Sequence, residues 1–145
     1  GLLIQLFARK YPDEVSALVL VDSTHPAQFK GKGSAENWPA WFRLLFRLYL
    51  SSVARQEMDL VNSTGEQVLA LPAFSGKPVI VLSALQPMSK KGDLADDANA
   101  KRKDLARLYS GSQQVWVDSG HGIPLEKPQV VIDAINQVLR KGNVH

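Results

Sequence analysis

The stretch VWVDSGHGIPLEKP, Val115 to Pro128, passes from a β-branched and aromatic run into small residues and then into a segment punctuated by proline. Residues of the first kind suit a pleated strand, Gly and Ser suit a tight loop, and Pro128 suits the first turn of a helix. The order is strand, loop, helix. His121 sits at the tip of that loop. A histidine held at the mouth of a sheet serves as a proton carrier when another group needs one; otherwise its ring is only a hydrogen-bonding member of the loop.

Two further runs upstream set the fold around it. In SALVLVD, Ser16 to Asp22, residues 17–21 are continuously apolar, and KPVIVLSA, Lys77 to Ala84, repeats the pattern after Gly76. Strict alternation would mean one wet face, so unbroken runs predict strands covered on both faces, as in a parallel sheet. The segments between them read as helices. GLLIQLFARKYP, from Gly1, is apolar on nearly every side through Phe7, turns basic at Arg9 and Lys10 and stops at Pro12, which predicts a buried helix with cations in its last turn. PQVVIDAINQVL, from Pro128, places Val130, Val131, Ala134, Ile135 and Val138 on one helical stripe. Helix and strand therefore alternate, which predicts an α/β domain over residues 1–145 with about three parallel strands and flanking helices.

Residues 23–75 interrupt the rhythm. They open with polar, glycine-rich sequence, KGKGSAEN, and then turn aromatic in WPAWFRLLFRLYL. Trp38, Trp41, Phe42, Leu45, Phe46 and Tyr49 recur at helical spacing, with Arg43 and Arg47 on another face. The pattern suits an amphipathic helix packing on its own domain rather than one lying on a membrane surface. Inserted above a sheet, it would also serve as a lid.

Composition excludes several classes. The chain has 145 residues, 45% of them apolar, enough for a core, and its net charge is only +3. The densest basic cluster, NAKRKDLAR, Asn99 to Arg107, lacks interleaved aromatics and reads as the solvated face of a helix rather than a nucleic-acid surface. With no cysteine and three histidines, none close to another, no disulfide framework and no metal or other cofactor is expected. No apolar run approaches the roughly twenty residues that span a bilayer. The chain opens without a methionine or the basic start of a signal peptide, and is expected to be a piece of something longer.

Taken in order, the helix from Gly1, LVLVD, the long insertion, KPVIVLSA and the strand followed by Ser119-Gly120-His121 and a proline-started helix resemble the C-terminal half of an α/β-hydrolase. The resemblance covers nearly the whole chain and is weakest in the insertion. It implies that His121 is the general base of a Ser-His-Asp arrangement. It also implies a carboxylate at the end of a strand. The end of the strand before that of His121 reads VLSALQPM and offers none, so Asp22, which ends LVLVD, is the expected acid. The alternative for Asp22 is a strand-end residue capping the loop STHP, and Asp93, Asp96 or Asp97 in the following loop remain as other candidates for the acid. Asp118 is expected to end its strand, and His25, in a Thr-His-Pro turn, to be structural.

The nucleophile is missing from this sequence: no serine carries glycines two residues to either side, as the family's G-x-S-x-G turn requires. The resemblance makes Gly1 the last glycine of that turn or its successor, with the serine lying before it. Two functions are expected from this. One is the C-terminal part of an esterase-like hydrolase for a small apolar acyl substrate, inactive alone. The other is a non-catalytic module acting through association, as a homo-oligomer or with a missing N-terminal half.

Overall fold

The computed structural model describes the backbone of residues 1–49 and 52–142, with the side chains of 35, 42, 45–47, 49, 52–55 and 57–59 outside the described set. The expected roles of Phe42, Leu45, Phe46, Arg47 and Tyr49 therefore lie outside the described residues. Three strands, β1 (Leu18–Val21), β2 (Val79–Ala84) and β3 (Gln113–Val117), form one parallel sheet in the order β1-β2-β3. Leu18 faces Val79 across the first pair and Leu82 faces Val115 across the second. β2 and β3 end side by side at Ala84 and Val117 and β1 ends just short of them, opposite Leu82, so Asp22, Leu85 and Asp118 begin loops along one edge.

Among the described residues six α-helices accompany the sheet: α1 (Leu2–Lys10), α2 (Ala40–Tyr49), α3 (Ser52–Ala70), α4 (Asp93–Asp104), α5 (Ile123–Glu126) and α6 (Pro128–Gly142). The alternation of side chains along each strand divides the core into two layers. Leu18, Leu20, Val79 and Val81 pack with Ala8 of α1 and with Leu105, Ala106 and Tyr109 of the turn after α4. Val19, Val21, Ile80, Leu82 and Val117 face the other way, toward Ile123, Ala134 and Val138. The chain is an α/β protein with helices on both faces of a parallel sheet.

Burial refines two expectations. All six residues of β2 are buried, as an unbroken apolar run requires, but in β1 only Leu18 and Leu20 are, because β1 lies at the sheet margin and α6 covers Val19 and Val21 only in part. The helix from Gly1 is also buried on one face alone: Leu2, Gln5, Ala8 and Arg9 point inward, while Leu3 is 73% exposed. Arg9, by its position a solvated last-turn cation, is instead buried. Its guanidinium reaches the carbonyls of Val68 (3.0 Å) and Leu108 (3.2 Å) and lies over the Tyr109 ring, joining α1 to α3 and to the turn after α4.

Among its described residues the segment 23–75 forms two short 3-10 helices, Gly31–Gly33 and Ala35–Asn37, followed by α2 and α3. The second half of α3 packs against α1, and Gly65 meets the loop after β1 so closely that a Cβ there would lie 1.9 Å from the Pro26 carbonyl oxygen. α2 leaves Trp41, Leu44 and Leu48 exposed.

Candidate functional site: a histidine–aspartate pair at the edge of the sheet

The backbone of Asp22 turns sharply as β1 ends, with φ of 39°, in the left-handed region that Asp tolerates better than most residues. Such a conformation costs about 1–3 kcal/mol and is found where something else fixes the residue. What fixes it is the end of β2: the Ala84 N–H donates to Asp22 Oδ1 at 3.2 Å, and the Asp22 N–H donates to the Leu82 carbonyl at 2.8 Å. The carboxylate is thereby folded back across the strand ends.

His121 arrives from the other side. Its loop is short and braced: the Ser119 carbonyl accepts the Gln86 N–H, and the Gly120 N–H donates to Glu126 Oε2 at 3.0 Å. Ser119 is fully buried, so the chain is pinned two residues before the ring. Nδ1 of His121 then lies 2.6 Å from Asp22 Oδ2, with the carboxylate side chain 8% exposed and the imidazole 70% exposed. An ionised carboxylate only accepts, so Nδ1 carries the proton and donates, and Nε2 keeps its lone pair on the solvent side. A neutral imidazole in that tautomer can take a proton from a group that approaches Nε2.

The other carboxylates lie elsewhere. Asp93 and Asp96 are on the first turn of α4, and Asp97 pairs with Lys101 at 2.6 Å. Asp118 is exposed beyond β3. His25 is buried and its ring is committed: Nδ1 accepts the Ala27 N–H at 3.0 Å, and Nε2 lies 3.3 Å from Asp104 Oδ2. Burial is the main influence on His25 and lowers its pKa, with Asp104 opposing.

One participant escapes a reading of the sequence. The cluster from Asn99 to Arg107 has the composition of a solvated face, yet Lys101 donates to the Gln28 and Lys30 carbonyls, and Arg102 Nε lies 3.4 Å from Asp22 Oδ1. Lys103 and Arg107 are the exposed members. Three successive helical residues point about 100° apart, so a run of cations cannot declare which of them turns inward.

Gly1 completes the surroundings. A Cβ there would lie 2.6 Å from Ser23 Oγ, so the start of α1 abuts the residue that follows Asp22. Two surface cavities, of about 420 and 380 Å³, lie by β3 and the turn after α4, and neither is lined by His121 or Asp22. Among the described residues no cluster of His, Asp and Glu could hold a metal ion, and no helix is long and apolar enough to cross a membrane.

Fold and site together define an α/β protein with a directly bonded His–Asp pair at the C-terminal edge of a parallel sheet, where open α/β sheets commonly carry their sites. Comparison with protein-family models, with curated proteins and with solved structures returned no match.

Proposed function

We propose that this chain carries the base and acid of an α/β-hydrolase acting on a small apolar acyl substrate, with His121 as general base and Asp22 as its acid. The observation that carries the reading is the 2.6 Å contact between His121 Nδ1 and Asp22 Oδ2, which leaves Nε2 open to solvent. In acyl transfer the serine hydroxyl gives its proton to Nε2 as its oxygen bonds the carbonyl carbon. The imidazolium then returns that proton to the departing alkoxide, and Asp22, staying ionised, stabilises the positive ring between the two steps. Water repeats the sequence to release the acid.

The serine must come from elsewhere, because no G-x-S-x-G occurs in this sequence. Gly1 abuts Ser23 beside the acid, which brings the start of α1 to the site. The exposed Trp41, Leu44 and Leu48 of α2 suit a lid for an apolar acyl group.

The chain alone is expected to hydrolyse p-nitrophenyl acetate and butyrate at the level of a surface imidazole, with no burst. Expressed together with a segment bearing the strand, a G-x-S-x-G turn and an oxyanion loop, it should turn over, and His121→Ala should abolish that turnover. A restored rate untouched by His121→Ala would remove His121 from the mechanism, and a burst acylating one serine of this chain would replace the missing nucleophile.

A second reading, association without catalysis, is favoured by the margin position of β1 together with the exposed Leu3, Ile4 and Phe7 of α1 and Ile132, Ile135 and Leu139 of α6. On that reading the occupant of the margin is a second copy of the chain.

A further inference from the structure

The Asp22 carboxylate has two oxygens with different partners. Oδ2 faces His121 Nδ1 at 2.6 Å, while Oδ1 accepts the Ala84 N–H and faces Arg102 of α4 at 3.4 Å. Both members of the Arg102–Asp22 pair are largely buried, with side chains 17% and 8% exposed. Arg102 and the Ala84 N–H together hold Oδ1, which leaves Oδ2 as the oxygen turned toward His121. A carboxylate turned away from Nδ1 would no longer favour the Nδ1–H form, and a ring proton on Nε2 is on the wrong side for a base.

The guanidinium is itself held in place. Arg102 Nη1 lies 3.4 Å from Asn99 Oδ1 and 4.0 Å from Met88 Sδ, and the Arg102 carbonyl accepts the Gln114 amide at 3.0 Å. The same amide donates to the buried Ser83 hydroxyl of β2 at 3.1 Å. The sheet thus positions Gln114, Gln114 positions the end of α4, and α4 delivers a fixed cation to the acid. On the loop of His121 itself the Gly120 N–H is bound to Glu126 of α5, a negative group.

We infer that Arg102 is a positioning residue: its charge keeps Asp22 an acceptor turned toward His121 and so fixes the Nδ1–H tautomer of the base. This rests on the pairing of His121 with Asp22 proposed above. It makes the site a linear Arg–Asp–His arrangement in which α4 acts without touching substrate.

Nitrogen NMR of histidine-labelled protein at a pH where His121 is neutral reads the ratio of Nδ1–H to Nε2–H tautomers directly. Arg102→Gln should lower that ratio by about fivefold or more, because it removes a cation 3.4 Å from a largely buried carboxylate. Arg102→Lys, which keeps the charge, should stay near the parent value. Asp22→Asn is the control for the underlying pair: a ratio unchanged in Asp22→Asn overturns the His121–Asp22 pairing. A ratio that falls in Asp22→Asn but not in Arg102→Gln overturns the role of Arg102 alone. An Arg102→Lys ratio as low as that of Arg102→Gln overturns the charge argument. Should Arg102→Gln not fold, Asn99→Leu, which frees the guanidinium, should lower the ratio in the same direction, and an unchanged ratio there overturns the inference equally.

Discussion

His25 shows how differently two imidazoles can be used beside the same strand end. His121 turns Nδ1 to Asp22 and leaves most of its ring exposed, whereas His25 spends Nδ1 on the Ala27 N–H and turns Nε2 to Asp104, with Asp97 and Lys101 nearby. Burial lowers the pKa of His25 against the opposing pull of Asp104, and protonating Nδ1 would in addition set an N–H against the Ala27 N–H. The unfolded chain takes up that proton near pH 6.5. The contribution of His25 to stability is therefore complete above that value and lost as pH falls toward the lower folded value. Thermal unfolding should move to lower temperature between about pH 7 and pH 5, and the decline should be shallower in His25→Asn, which keeps an acceptor without the titration. Equal slopes in parent and variant would assign the acid sensitivity to other groups. Sequence alone suggests a structural His25 from its Thr-His-Pro turn, but not the backbone N–H it serves, since that contact depends on the loop's path.

Among the elements, α3 is placed by the absence of a side chain. Gly65 lies where a Cβ would overlap the Pro26 carbonyl oxygen at 1.9 Å, and both partners are backbone, so no rotamer change relieves the clash. Gly65→Ala is expected to destabilise the fold by about 1–3 kcal/mol, the usual cost of overpacking, despite the better helix propensity of alanine. Urea unfolding checks it, and a variant as stable as the parent would show that α3 is free to shift away from the β1 loop. This element marks the limit of what the sequence can tell. β2 and β3 are legible because unbroken or β-branched runs between Gly or Pro admit few alternatives, and the strand ends then locate Asp22 and His121. The orientation of α1 is not legible, since a helix apolar on nearly every side has no pattern to say which side faces the sheet. Nor is Arg102, because three cations in a row point in three directions and only tertiary packing selects one.

At the scale of the whole molecule, β1 pairs only with β2 among the described residues, which leaves one side of a short apolar strand without a partner in the sheet. α6 packs on that strand, and Gln5 of α1 bonds Ser23 and Thr24 just beyond it, so both helices stand beside the margin. Each also shows apolar side chains to water: Leu3 is 73% exposed and Leu139 53%. A single exposed leucine is ordinary, but several flanking an unpaired strand combine hydrophobic gain with a row of backbone groups ready to pair. Fully burying one leucine side chain contributes about 1.5–3 kcal/mol, so a few of them offset much of the cost of bringing two chains together. A symmetric dimer joined through the β1 margins is the simplest closed arrangement. Light scattering at micromolar concentration should then give a mass well above the 15.9 kDa of one chain, and Leu3→Lys should return it toward the monomer. A compact monomer with cooperative unfolding would exclude the dimer.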